Sequence, residues 1–224
     1  MTGLLLRADD VLRRAAWTTR ADRPWLAMRD LLACVMVFGM FYGAVMGTFG
    51  GVSGDRPWQV LYSAVKVPLL LLVTFTISLP SFFVLNTLFG LRRDVGDAVR
   101  AVVAAQAGLA IILGSLAPFT MLWYVSSSGY QAAILFNAVM FAVASLAGQG
   151  LLRGLYRPLI ARSEKHRFML RAWLVVYAFV GIQMAWVLRP FVGSPTTPVQ
   201  FFREDSWDNA YMVVVNLIWN VFAR

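Results

Sequence analysis

Residues 60–89 read VLYSAVKVPLLLLVTFTISLPSFFVLNTLF. A bilayer core of about 30 Å is crossed by about 20 apolar residues of helix, and this run exceeds that length with Lys66 as its one full charge. A helix satisfies its own backbone polar groups in lipid, which otherwise only a closed barrel does. The run is therefore predicted to be a spanning helix. Pro68 and Pro80 each remove a backbone hydrogen bond, so the helix is expected to tilt, bend or break. Thr74, Thr76, Ser78, Ser81, Asn86 and Thr87 bracket Pro80 and are expected to re-satisfy the carbonyls it frees. Lys66 lies one to two turns inside one end, a depth from which a lysine reaches the headgroups. The competing reading turns it into an internal cavity.

Outward from this run, four more stretches have spanning length: Leu31 to Phe49, Ala98 to Trp123, Ala132 to Leu152 and Phe168 to Leu188. A shorter one, Tyr211 to Phe222, is expected either to cross with help from the turn before it or to lie in the interface. Hydrophobic residues make up 59% of the 224 positions and charged residues 14%, a balance that excludes an ordinary soluble domain. The expected fold is an all-α polytopic bundle of about six spans, near 31–49, 60–89, 98–123, 132–152, 168–188 and 208–222. A basic N-terminal segment, residues 1–30, precedes the transmembrane domain of residues 31–222.

The net charge of +9 is unevenly spread. Arg7, Arg13, Arg14, Arg20, Arg23 and Arg29 precede the first span, Arg92, Arg93 and Arg100 follow the second, and Arg153, Arg157, Arg162, Lys165, Arg167 and Arg171 follow the fourth. The intervening connections hold only Arg56, Arg189 and Arg203. This alternation is the positive-inside pattern. It places the N-terminus and the basic connections in the cytoplasm and removes nucleic acid as a partner. Trp25, Trp58, Tyr62, Trp123, Tyr124, Tyr130, Tyr156, Trp207 and Tyr211 fall near span ends, where aromatic rings anchor at headgroup level. Leu4 to Leu6 is too short an apolar core for a secretory signal. Leu5, Ala8, Leu12, Ala15 and Ala16 recur at helical spacing and suggest an amphipathic helix resting on anionic headgroups, with a solvated tail as the alternative.

Gly39, Gly43 and Gly47 lie four apart, on one helix face, and let another backbone approach closely. The partner is expected to be another span of this chain rather than a second copy. Ala104 with Gly108 and Ala144 with Gly148 form similar faces. Gln106, Ser115, Asn137, Ser145, Gln149, Gln183, Asn216 and Asn220 are the other polar residues in the apolar runs and are expected to bond between helices. No Asp or Glu falls inside a span, which argues against ion-coupled transport. Cys34 is alone, and His166 has no Cys or His at ligand spacing, so no catalytic, cofactor or metal site is expected. The segment from Arg189 to Asn209 carries Pro190, Pro195 and Pro198 and several aromatics. It is expected to pack as a cap on the outer face, with Arg189 and Arg203 clamped to Glu204, Asp205 or Asp208, or else binding an anion or headgroup.

At Lys66-Val67-Pro68, at Pro80-Ser81-Phe82-Phe83-Val84-Leu85-Asn86 and at Gln183-Met184-Ala185-Trp186-Val187-Leu188-Arg189-Pro190-Phe191, the chain resembles an uncharacterised family of bacterial polytopic membrane proteins. More distantly, its core resembles the Yip1-like proteins, although the acidic Gly-Pro motif of their eukaryotic members is absent. The resemblance implies a membrane organiser or adaptor without a cofactor and transfers no catalytic residue. The expected function is a non-enzymatic integral scaffold or complex subunit whose partners are the bilayer and other membrane subunits. A channel or facilitator for a small solute or anion is the rival, with Lys66, Asn86, Asn137, Gln149 and Gln183 along a polar path. Lys66, Pro68, Pro80, Asn86, Gln183, Arg189 and Arg203 are the candidate functional, lipid or partner contacts.

Overall fold

The computed structural model describes residues 2–19, 23–194 and 198–203. The described residues form six α-helices: α1 Thr2–Leu12, α2 Pro24–Gly47, α3 Arg56–Leu88, α4 Val95–Ser126, α5 Tyr130–Arg162 and α6 Lys165–Val187. A 3₁₀ turn, Arg92–Asp94, leads into α4. Helices α2 to α6 are each long and apolar enough to cross a membrane, which makes this an all-helical multi-pass membrane protein. The apolar stretch expected near residues 208–222 lies outside the described residues, as do Glu204, Asp205 and Asp208.

Each of the five helices begins before its apolar stretch, and α4 and α5 also end beyond theirs. α5 continues through Arg153 and Arg157 to Arg162, and α6 begins at Lys165, so only Ser163 and Glu164 separate them. The long basic connection expected there is therefore two helix ends and a short turn. Likewise α3 is one unbroken helix with Pro68 and Pro80 inside it. Thr76 Oγ1 donates to the Leu72 carbonyl at 2.8 Å, Thr87 Oγ1 to Phe83 at 2.9 Å and Asn86 Nδ2 to Phe82 at 2.8 Å. These side chains back-bond to their own preceding turn instead of serving the carbonyl four residues before Pro80.

The glycine face of α2 meets α3. A Cβ built on Gly43 would overlap the Ser63 carbonyl and lie 2.9 Å from Ala64 Cα, and one on Gly47 would lie 2.6 Å from Val60 Cα. Gly39 faces Pro68 at 3.4 Å. The two backbones touch, as small residues four apart allow, and the partner is within this chain. α4 is the axial helix: Ala98, Ala101, Ala104, Ala107, Ala110 and Ala117 are wholly buried, and both α2 and α5 lie along it. Its small side chains let neighbours approach from several sides.

α1 is part of the bundle. Ala8 and Val11 are buried in the main core, and Val11 Cγ1 is 3.9 Å from where a Cβ on Gly108 of α4 would sit. The face turned inward is Leu4, Ala8 and Val11, spaced as one helical stripe. Leu5 and Leu12 are 59% and 42% exposed, so the apolar face expected from Leu5, Ala8 and Leu12 is rotated by about one residue.

Candidate functional site

Three clusters of polar side chains divide the molecule. The first lies where the segment after α6 covers the start of α3. Gln59, Ser63 and Lys66 stand at i, i+4 and i+7, hence on one helix face, and all three are buried. Gln59 Nε2 donates to Ser63 Oγ at 2.9 Å, Ser63 Oγ donates to the Phe191 carbonyl, and Lys66 Nζ donates to the Pro190 carbonyl at 2.7 Å. The Lys66 ammonium also sits 4.9 Å from the centre of the Phe201 ring, within cation–π range. Phe201 in turn meets Tyr62 edge-on at 5.3 Å, and Leu188 at the end of α6 and Val192 in the segment are buried. A Cβ on Gly193 would lie 2.8 Å from Gln59 Cγ, so the fit excludes a larger residue there.

Lys66 does not snorkel. Its side chain is 0% exposed, and its ammonium is held by a loop carbonyl and a ring. Among the described residues no carboxylate pairs with it. Arg189 stacks on the Trp186 ring, 3.3 Å from its centre. The acidic residues expected to clamp Arg189 and Arg203 lie outside the described residues.

The second cluster joins α2, α4 and α5 toward the same end. Tyr42 OH donates to Asn137 Oδ1 at 3.0 Å, and Asn137 Nδ2 donates to Tyr124 OH at 2.6 Å and to the Ala133 carbonyl at 2.8 Å. Thr120 Oγ1 approaches Tyr42 OH at 3.4 Å. Tyr42, Asn137 and Thr120 are all buried, and hydrogen bonds of this kind hold membrane helices together. Asn137 is visible in the sequence as a polar residue in an apolar run, whereas its tyrosine partner 95 residues away reads there only as part of the α2 apolar pattern.

The third cluster lies at the basic end. His166 Nε2 is 3.1 Å from Asp94 Oδ2, and Arg162 Nη1 donates to Asp94 at 2.7 Å and to Asp97 at 3.2 Å. Arg100 pairs with Asp97, and Arg7 and Arg29 pair with Asp30 at 3.3 and 3.1 Å. His166, placed by sequence in a loop, is in the first turn of α6 and 0% exposed. The cluster ties the end of α5 and the start of α6 to the start of α4. Among the described residues no Ser or Cys is bonded to its imidazole, so the described side chains there form no nucleophilic triad. Among the described residues no group of three or more His, Cys, Asp or Glu is placed to hold a metal ion.

Between α3, α4, α5 and α6 lies a cleft of about 510 Å³. Its walls are mostly apolar, with Thr74, Gln106, Ser145, Gln149 and Tyr177 as the polar groups. Gln106 Nε2 donates to Tyr177 OH at 3.1 Å. No family model, curated protein or solved structure matches the chain.

Proposed function

We propose that the protein is a non-enzymatic scaffold or complex subunit of a bacterial inner membrane, with its basic face in the cytoplasm. The observation that carries this reading is the dispersal of its intramembrane polar groups. Lys66 is bonded to the segment after α6, Asn86 to its own helix and Asn137 to two tyrosines. Of Lys66, Asn86, Asn137, Gln149 and Gln183, only Gln149 lines the intramembrane cleft. A pathway needs such groups along one continuous lumen, while a bundle uses them as contacts between and within helices.

A scaffold must offer a face to a partner, and α5 and α6 have one to offer. Leu135, Leu146, Val175 and Ile182 are 67%, 69%, 57% and 54% exposed. The test is photocrosslinking in native membranes from benzoylphenylalanine at position 135 or 146, followed by mass spectrometry of the adducts. One membrane protein captured at both positions in constant ratio is the expected result. Adducts to lipid alone, together with a saturable solute flux in liposomes, would replace the scaffold with a facilitator.

A further inference from the structure

The cleft between α3, α4, α5 and α6 carries more than lipid-facing apolar surface. Gln106 is 5% exposed and Thr74 is 2% exposed, and both residues line it. Among the described residues neither Gln106 Oε1 nor Thr74 Oγ1 has a hydrogen-bond partner. Orphaned polar atoms in a dry interior cost about 1–3 kcal/mol each, and native structures keep few of them. Turning the Gln106 amide over does not remove the deficit, because Tyr177 OH satisfies one end of the amide only. A Thr hydroxyl in a helix ordinarily bonds back to the preceding turn, as Thr76 does, and Thr74 does not.

We infer that the cleft is a binding site for a neutral lipid carrying a single hydroxyl, with that hydroxyl placed between Gln106 and Thr74. This inference stands apart from the scaffold reading. A hydroxyl donates one hydrogen bond and accepts two, so it satisfies the amide in either orientation and the threonine as well. As the side chains stand, both oxygens are closed off from the cleft, so the inference requires Thr74 χ1 and the terminal amide torsion of Gln106 to turn toward the bound hydroxyl. Among the described residues no charged side chain lines the cleft, so an ionised headgroup drawn to this depth would be unpaired and heavily penalised. Trp173 and Tyr177 supply flat aromatic walls for an alkyl chain.

The size of the cleft selects the occupant. About 510 Å³ is the volume of only about one turn of a helix about 11 Å across, too little for a partner's spanning helix. It lies within the range of small-ligand sites, about 300–1,000 Å³. α5 and α6 make few contacts with each other, which leaves a lateral entrance from the bilayer.

The test uses purified full-length protein in phosphatidylcholine vesicles and a photoactivatable hexadecanol whose diazirine lies near the hydroxyl. Labelling should fall on the cleft walls and be competed by hexadecanol, but about tenfold less well by hexadecyl methyl ether, which lacks the donor; one such bond is worth about a tenfold change in affinity. Palmitate should compete no better than the ether. Ala178→Phe fills the cleft and should abolish labelling, and Gln106→Leu should weaken it about tenfold, with the thermal stability of both variants confirming folded protein. Equal competition by alcohol and ether would reduce the cleft to an apolar crevice. Labelling spread over all lipid-facing helices, or unchanged in both folded variants, would overturn the site.

Discussion

Helices α4 and α6 both have the length and hydropathy to cross a bilayer, yet 67% of the apolar window of α4 is buried and only 17% of that of α6. The difference lies in side-chain size. α4 buries Ala98, Ala101, Ala104, Ala105, Ala107, Gly108, Ala110, Gly114 and Ala117, a set that admits neighbours close to its axis. α6 buries only His166, Met169, Leu170 and Trp173, all within its first three turns. Beyond Trp173 its fit to α3 is looser: a Cβ built on Gly181 would lie 3.6 Å from Thr74 Cγ2, an ordinary contact distance. Without water, apolar surface alone does not draw helices together. Small residues close the interior of this bundle, and large ones leave its edge open to lipid, to a partner or to a ligand.

The sharpest way to break this contrast is a pair of glycine substitutions. Gly43→Leu forces a side chain into the Ser63–Ala64 backbone of α3, and overpacking of this kind costs about 1–3 kcal/mol, or more where backbone must move. Its melting temperature in detergent should fall steeply, or folded protein should be lost. Gly181→Ala meets only ordinary van der Waals contact, and its melting temperature should stay within a degree or two of the parent, a shift well under about 1 kcal/mol. Equal losses in the two variants would remove the distinction between interior and edge.

Asn137→Leu is the next largest effect. It strips the bonds from Tyr42 and to Tyr124 and leaves the buried Tyr42 phenol and the half-buried Tyr124 phenol each with one partner fewer. Interhelical bonds in membranes average about 0.6 kcal/mol and reach about 1.7, and Asn137 makes two of them. A loss of about 1–2 kcal/mol is expected, read as an earlier unfolding midpoint in denaturing detergent. An unchanged midpoint would mean that packing alone joins α2, α4 and α5.

Lys66→Met has a smaller expected effect on stability than Asn137→Leu and a local signature. It removes the donor to the Pro190 carbonyl, a net contribution of about 0.5–1.5 kcal/mol, and loosens the segment over α3. Cysteine placed at Gly193 is unsuitable because of its tight fit, so the probe is Ser194→Cys in a Cys34→Ala background. Its maleimide labelling should be faster with Lys66→Met, at nearly unchanged global stability. No change in labelling rate would mean that the segment is held without the lysine.

These particulars separate what a sequence carries from what it does not. Length and hydropathy name the five spans because the bilayer thickness fixes the length of a spanning helix. The Gly39, Gly43 and Gly47 spacing marks a backbone contact because a helix face repeats every four residues. The partner of Lys66 is 124 residues away in the chain, and neither residue's local pattern encodes the meeting. The inward face of α1 lies about one residue from the stripe its sequence suggests because Ala8 fits either stripe, and the groove beside Gly108 selects Val11 over Leu12. Gln106 reads as one polar residue among many. Its orphaned oxygen becomes visible only when the neighbouring helices are placed.

The division between a closed interior and an open edge is tested most directly by quenching. Single cysteines at Ala104, Ala107, Val175 and Ile182 in the Cys34→Ala background would carry a small bimane fluorophore, in vesicles of brominated phosphatidylcholine against ordinary phosphatidylcholine. Positions 104 and 107 are buried, and positions 175 and 182 are exposed. Strong bromine quenching at 175 and 182, with little at 104 and 107, is the expected result. Comparable quenching at all four positions would mean that α4 faces lipid, and would contradict the bundle described here.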